Sequence, residues 1–253
     1  MKATSQAAAA SSTISRLSVR LPNNIGLQIP RDLGPPAAGA LFLQTLNEAA
    51  PNFMPAVYSS TEPIRTPVGE SSPESIWSKM FFWKALDRRV EGGVDAGAFR
   101  RTGHTGVWIA DGRGTADQDE DLGVLVALAK TFAPTFGFLH RINRREVRPG
   151  GVPSFFDRGS HPPHVFVGPD QLVESIPELF WATIFGARYI ELFGLSRLLE
   201  TPVYKVELVT QDCVLLQLTS DLNDMDNEFD QVEAIRRRAK AHLGTGAFFE
   251  IAS

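Results

Sequence analysis

Apolar positions run along most of the chain, and their period changes from one segment to the next. Ile14, Leu17, Val19 and Leu21, then Ile25, Leu27 and Ile29, partly alternate with polar residues. That pattern predicts two short strands joined through the turn-forming Pro22-Asn23-Asn24. Pro35-Pro36 opens a helix over 37–50, in which Leu41, Phe42, Thr45, Leu46 and Ala49 recur at helical spacing. Phe53 to Val57 reads as a short strand and the proline-rich Thr61 to Pro73 as a loop. Ser72-Pro73-Glu74 carries the signals of a helix start, a capping serine, a first-turn proline and an acidic residue. The helix it predicts runs to about Val90, with Ile76, Trp77, Met80, Phe81, Lys84 and Ala85 on one face and Gly92-Gly93 as its stop.

Thr105 to Ala110 (TGVWIA) predicts a short buried strand, Asp111 to Asp121 a polar loop, Leu122 to Phe132 an apolar helix ended by Pro134, and Thr135 to Ile142 another strand. Glu146 to Pro163 is rich in Gly and Pro and reads as a long surface connection. Gly168-Pro169-Asp170 begins a short helix. The densest apolar run follows, from Pro177 to Thr219. Pro177 opens a second helix, punctuated by Gly186 and Gly194 and closed by Pro202. Val203 to Leu208 and Val214 to Thr219 alternate as two strands of a hairpin that turns at Thr210-Gln211-Asp212. Asp224 to Leu243 is the last helix, with Asp224 or Asp226 at its start, Phe229, Val232, Ile235 and Leu243 facing inward, and Gly244 after its end. Together these elements predict an α+β fold: a mixed or antiparallel sheet with helices packed on it, and a C-terminal hairpin followed by a terminal helix. Residues 1–13, rich in Ala, Ser and Thr, read as a disordered tail. Residues 14–253 read as a single domain whose best internal seam is 148–163.

Composition narrows the function classes. A hydrophobic share of 43% supports a substantial core. The formal net charge of −4 argues against a general nucleic-acid binder, which is usually basic. One cysteine, Cys213, rules out an internal disulfide and implies no oxidising compartment. The N-terminus lacks the longer apolar core of a secretory signal, and no stretch approaches the ~18 apolar residues of a membrane span. A cytoplasmic protein is the simplest expectation.

No residue set announces a chemistry. His161 and His164, in HPPH, are close enough to suggest a metal pair. The Pro-Pro between them restricts how the rings converge, however, and no Cys or carboxylate completes a set. His140 and Arg141, with Arg144, Arg145 and Arg148, form a basic cluster that suits phosphate, but a solvated basic edge explains it better. Neither Gly103-His104-Thr105-Gly106 nor Asp111-Gly112-Arg113-Gly114 is a phosphate loop, there is no GxSxG elbow, and Cys213 reads as a small packed residue. Phe180, Trp181, Phe185, Tyr189 and Phe193 read as packing, with the polar tips of Trp181 and Tyr189 placed to reach the rim of a binding surface. Two acidic clusters remain, Asp117, Asp119, Glu120 and Asp121, and Asp221, Asp224, Asp226, Glu228 and Asp230. Solvated helix-terminal charge explains them. Acidic surface is also what would cover a basic site on a partner.

Four stretches carry a resemblance: FWATIFGARYIELFG, SRLLETPVYKVELV, VLLQLTSDLND and RRRAKAHLGTGAFFE. Over about Val165 to Glu250 their order and spacing resemble the immunity proteins of bacterial polymorphic and type VI-secreted toxins, the immunity protein 52 family among them, and related myxobacterial families of unknown function. The resemblance implies a non-catalytic, cofactor-free cytoplasmic protein that binds and occludes a cognate toxin. The candidate interface is then Asp117, Asp119, Glu120, Asp121, Asp221, Asp224 and Asp226 with Trp181 and Tyr189, and neither a nucleic acid nor a membrane is an expected partner. Two alternatives stay open. One is a small hydrolase or nucleotide-processing enzyme using His104 or His140 with Asp111 and Arg141, all at predicted strand ends. The other is a scaffolding protein.

Overall fold

A computed structural model describes residues 21–95, 103–114, 118–143, 145–146, 156–157, 164–165, 167–168, 172 and 175–248. Its elements are β1 (Asn23–Ile29), α1 (Pro36–Ala49), β2 (Pro55–Ser59), β3 (Thr66–Pro67), α2 (Pro73–Trp77), β4 (Phe82–Ala85), β5 (Val90–Asp95), β6 (Thr105–Asp111), α3 (Gln118–Phe132) and β7 (Phe136–Arg141). Then come β8 (Phe156–Asp157), β9 (His164–Val165), β10 (Ala182–Gly186), α4 (Ala187–Phe193), α5 (Leu195–Leu199), β11 (Lys205–Thr210), β12 (Cys213–Gln217), α6 (Asp224–Asn227) and α7 (Phe229–Leu243). Ten of the described strands form one sheet in the order β11-β12-β10-β7-β1-β6-β5-β4-β2-β3, and β8 pairs with β9 apart from it. The strands of that sheet pair antiparallel. The architecture is the expected α+β sheet with its C-terminal hairpin and terminal helix. Strands on both sides of 148–163 belong to the same sheet. Residues 1–13 and most of 148–163 lie outside the described residues.

β1 is central and buried along its whole length. Residues directly opposite each other in a sheet share a face. Asn23, Ile25, Leu27 and Ile29 therefore share one face with Asp111, Ile109, Val107 and Thr105 of β6, and with Arg141 and Leu139 of β7. On this face the Leu125 side chain of α3 comes up to Gly137 of β7, and α1 packs against α3. The other face holds Phe136, Phe138 and Phe185, packed with Phe180, Tyr189 and Phe193; Phe138 and Phe180 stack with ring centroids 4.3 Å apart.

Three local expectations need correction. Asn23 and Asn24 open β1 instead of turning before it, because hydrogen bonds from neighbouring elements satisfy the Asn23 side chain inside the sheet. The helix from Ser72 does start as predicted, with Ser72 Oγ accepting from Ser75 N at 3.3 Å. It stops at Trp77, and residues 82–85 and 90–95 are strands. Gly92 and Gly93 are strand positions, not a stop. A Cβ on Gly92 would overlap the indole of Trp83, and one on Gly93 that of Trp108. The glycines are the space in which two tryptophans lie on the sheet. Finally, β10 is a strand where a helix from Pro177 was expected, and helix begins only at Ala187. β10 is held by β7 on one side and β12 on the other, and cross-strand pairing overrides the helix-like aromatic spacing. The helices predicted from 37, 122 and 224 and the hairpin at Thr210-Gln211-Asp212 stand close to where the pattern put them; α3 begins four residues early, at Gln118, and most of the short helix expected from Gly168 lies outside the described residues.

Candidate functional site

At one end of the sheet the first residue of β1 and the last of β6 and β7 line up as Asp111, Asn23 and Arg141 on the α3 face. The first turn of α3 stands over them. Asp121 faces the sheet because it lies three, four, seven and eleven residues before Val124, Leu125, Leu128 and Phe132, all buried. Its Oδ2 accepts from Asn23 Nδ2 at 2.5 Å, and Asn23 Oδ1 accepts from Arg141 Nε at 2.8 Å. Arg113 clamps Asp111, donating from Nη2 to Oδ2 at 2.6 Å and from Nε to Oδ1 at 3.0 Å, and it also donates to Glu120 Oε2 at 2.7 Å. These carboxylates and the planar guanidinium fork match in shape as well as charge.

The second acidic cluster reaches the same place. Arg141 Nη1 donates to Asn223 Oδ1 at 2.9 Å and approaches Asp226 Oδ2 at 3.4 Å. Gln118 ties the segments together, donating to the Ser220 carbonyl at 3.0 Å and accepting from Leu222 N at 2.7 Å. Asp221 Oδ1 accepts from Asn223 N at 2.8 Å and Asn143 donates to the Met225 carbonyl. The two acidic clusters, far apart in sequence, are one surface in the fold. Asp119 and Asp226 are exposed on it, Glu120, Asp221 and Asp224 are half-buried, and Asp117 lies outside the described residues.

Asp121 is not part of that surface. It is fully buried, and its Oδ1 has no donor. Burial first, and the negative charge of Asp111 second, push its carboxyl up to about 8, where a retained proton is hydrogen-bonded to Asp111. The buried Asp121 carboxyl thus keeps its proton beside the Asp111 carboxylate that Arg113 holds.

Trp181 and Tyr189 are buried as well, not at a rim. The Trp181 indole donates to Thr219 Oγ1 at 3.0 Å. The Tyr189 hydroxyl lies 3.4 Å from the Leu172 carbonyl, and burial pushes it up to about 12. Of the groups of the enzymatic alternative, Asp111 and Arg141 share a face across Asn23, but neither histidine joins them. His104 and Asp111 flank opposite ends of β6, roughly 20 Å apart at ~3.3 Å per residue, and His104 lies 3.2 Å from Thr135 Oγ1. His140 pairs with Asn24, so it is on the opposite face of the sheet from Asp111 and Arg141. His140 and Arg141 are both buried, not a solvated basic edge. His140 Nε2 is 3.1 Å from Glu146, whose other oxygen is 3.3 Å from Arg236 Nη1. Arg145 pairs with Asp230 at 2.7 Å, while Arg144, Arg148 and His161 lie outside the described residues. Cys213 is buried in the core, and desolvation pushes its thiol up. Among the described residues no three His, Cys, Asp or Glu side chains group to hold a metal ion, and no helix is long and apolar enough to cross a membrane.

No family model and no curated protein matches the chain. Among solved structures, the Pseudomonas aeruginosa T6SS protein PA0821 is similar over 91% of this chain and 74% of its own length, with a TM-score of 0.57 and 12% identity. The two proteins share a fold.

Proposed function

We propose that this chain is an immunity protein that binds and neutralises a cognate bacterial toxin by covering it, without chemistry of its own. The observation that carries the reading is the fold it shares, over nine-tenths of its length, with a protein of a type VI secretion system. The sequence resemblance of its C-terminal third to toxin-immunity proteins points the same way. The surface joining the two acidic clusters supplies the contact: Asp119, Asp224 and Asp226 surround a rigid, hydrogen-bonded base and would meet a basic toxin site with little to reorganise.

Co-expression with any toxin domain found encoded beside its gene tests this reading. Protection and a stable complex are expected. Asp119→Lys with Asp226→Lys should weaken the complex at low salt more than at high salt, since screened surface charge acts mainly on association. A chain that neither binds nor protects refutes the immunity reading. Unchanged affinity in the charge-reversed variant moves the contact elsewhere.

A further inference from the structure

Eight large hydrophobic side chains are exposed among the described residues, and five of them fall between residues 192 and 208: Leu192, Leu195, Leu199, Tyr204 and Leu208. They belong to α4, α5, the approach to β11 and β11 itself. β11 is the end of the sheet, with β12 on one side and no described strand on the other. Such an edge is a template for another strand, and proteins that leave one open usually blunt it. Here the only irregularity comes late, between Leu208 and Thr210, so residues 205–208 stay straight.

The backbone is oriented to pair. Gly186 N donates to the Thr135 carbonyl at 3.0 Å on the β7 side of β10, so Phe185 and Thr183 direct their backbones toward β12, to Val214 and Leu216. By alternation Gln217 and Leu215 direct theirs toward β11, opposite Lys205 and Glu207. The N–H and C=O groups of Val206 and Leu208 then point out from the open edge.

We propose that β11 joins two copies of this chain in an antiparallel, two-fold dimer centred on Val206. The edge is complementary to itself in that register and in no neighbouring one. Val206 meets Val206, Lys205 meets Glu207 twice, and Tyr204 meets Leu208 twice. Lys205 and Glu207 are about half exposed and already 2.6 Å apart within one chain, so each exchanges an ion pair with its own strand for one across the interface. Tyr204, 62% exposed, and Leu208, 46% exposed, cover each other. One register to either side, Lys205 would face Val206 or Leu208 and both charges would lose their partners. α5 packs against β11, so Leu199 and Leu195 flank the new pair and widen the contact toward the ~800 Å² per partner of a stable interface. The proposal is independent of the immunity reading: a chain that dimerises and fails to protect leaves it standing.

Sedimentation of the full chain at about 1–100 µM tests it. Wild type is expected at twice the 27.7 kDa chain mass. Lys205→Glu sets Glu against Glu twice and Glu207→Lys sets Lys against Lys twice. Each should raise the dimer dissociation constant about tenfold or more while leaving circular dichroism and Tm unchanged. An equimolar mixture of the two variants restores complementarity and should dimerise like wild type. As a second measure, Val206→Cys should oxidise to a covalent dimer, because a hydrogen-bonded pair sets Cα atoms ~5.5 Å apart, within disulfide reach. Leu208→Cys should not, having no copy of itself opposite. A wild type that stays monomeric, single variants that still dimerise, or a mixture that fails to recover each overturns the proposal. So does an edge that stays unpaired alone and is covered only by the toxin.

Discussion

Replacing Asp121 by asparagine should abolish most of the pH dependence of stability between about pH 5 and 8. Free in an unfolded chain, Asp121 releases its proton near 3.8; in the fold it holds it up to about 8, because burial and the Asp111 charge disfavour the anion. Between those values the folded state carries a proton that the unfolded state has lost. Stability therefore falls as pH rises, by up to ~1.4 kcal/mol per pH unit, and levels off above the folded value. From pH 5.5 to 7.5 the loss is about 3 kcal/mol. That is a large share of the ~5–15 kcal/mol typical of a folded protein and about 6–12 °C in Tm. The amide of the Asp121→Asn variant would still accept from Asn23 and would donate to Asp111 permanently, giving the arrangement that the wild type reaches only when protonated. Urea unfolding of both proteins from about pH 5 to 9 is the assay. The Asp121→Asn curve should be nearly flat across the window and lie above wild type at pH 8. Parallel curves for the two proteins would refute the account of a proton retained on Asp121.

At the acid end the sign reverses. Burial pushes Glu146 up, but His140 and Arg236 outweigh it and hold the carboxyl at about 2. The stability it contributes is full above pH 4.5 and lost as pH falls toward 2. Arg236→Met should cost about 3–5 kcal/mol at pH 7, by leaving Glu146 buried with less of its counter-charge, and should shrink that acid-limb loss, measured by denaturant titration. Gly93→Ala should cost about 1–3 kcal/mol by driving a methyl into Trp108, and should shift Trp fluorescence, whereas Gly123→Ala, in open space on α3, should be neutral or stabilising.

The parts of the fold that sequence periodicity captured are those where one rule acts alone. Leu122 to Phe132 has a clean helical face, TGVWIA is a short apolar run between turns, and residues 203–219 alternate around a polar turn. The helix expected through Val90 failed because Trp77, Met80, Phe81 and Ala85 fit period 3.6 as well as Phe82-Trp83-Lys84-Ala85 fits period 2. Over so short a run only the partners across the sheet decide. The site was half legible. Both acidic clusters were visible as charge, but their meeting depends on Arg141 and Gln118, whose partners in the segment 220–226 lie 82 to 104 residues away. The burial of Asp121 did leave a trace in the sequence, its helical register with Val124, Leu125, Leu128 and Phe132. Assigning Asp111 to Asp121 to a polar loop hides that trace, because the helix that carries it starts at Gln118. Trp181 and Tyr189 show the converse: a polar tip on an aromatic ring needs a partner, and here Thr219 and Leu172 provide it inside the core.

The order of strands in the sheet also governs what happens while the chain is being made. β1 pairs with β6 and β7, so both its edges stay open until the ribosome has added Thr105 to Arg141. At ~5–20 residues per second, Asp111 follows Ile29 by roughly 4–16 s. β10, β12 and β11 then extend the sheet outward from β7, and β5, β4, β2 and β3 extend it from β6. Throughout that delay Ile25, Leu27 and Ile29 have no sheet to enter, and the segment that ends at the centre of the fold is the one a chaperone at the exit tunnel has longest to hold.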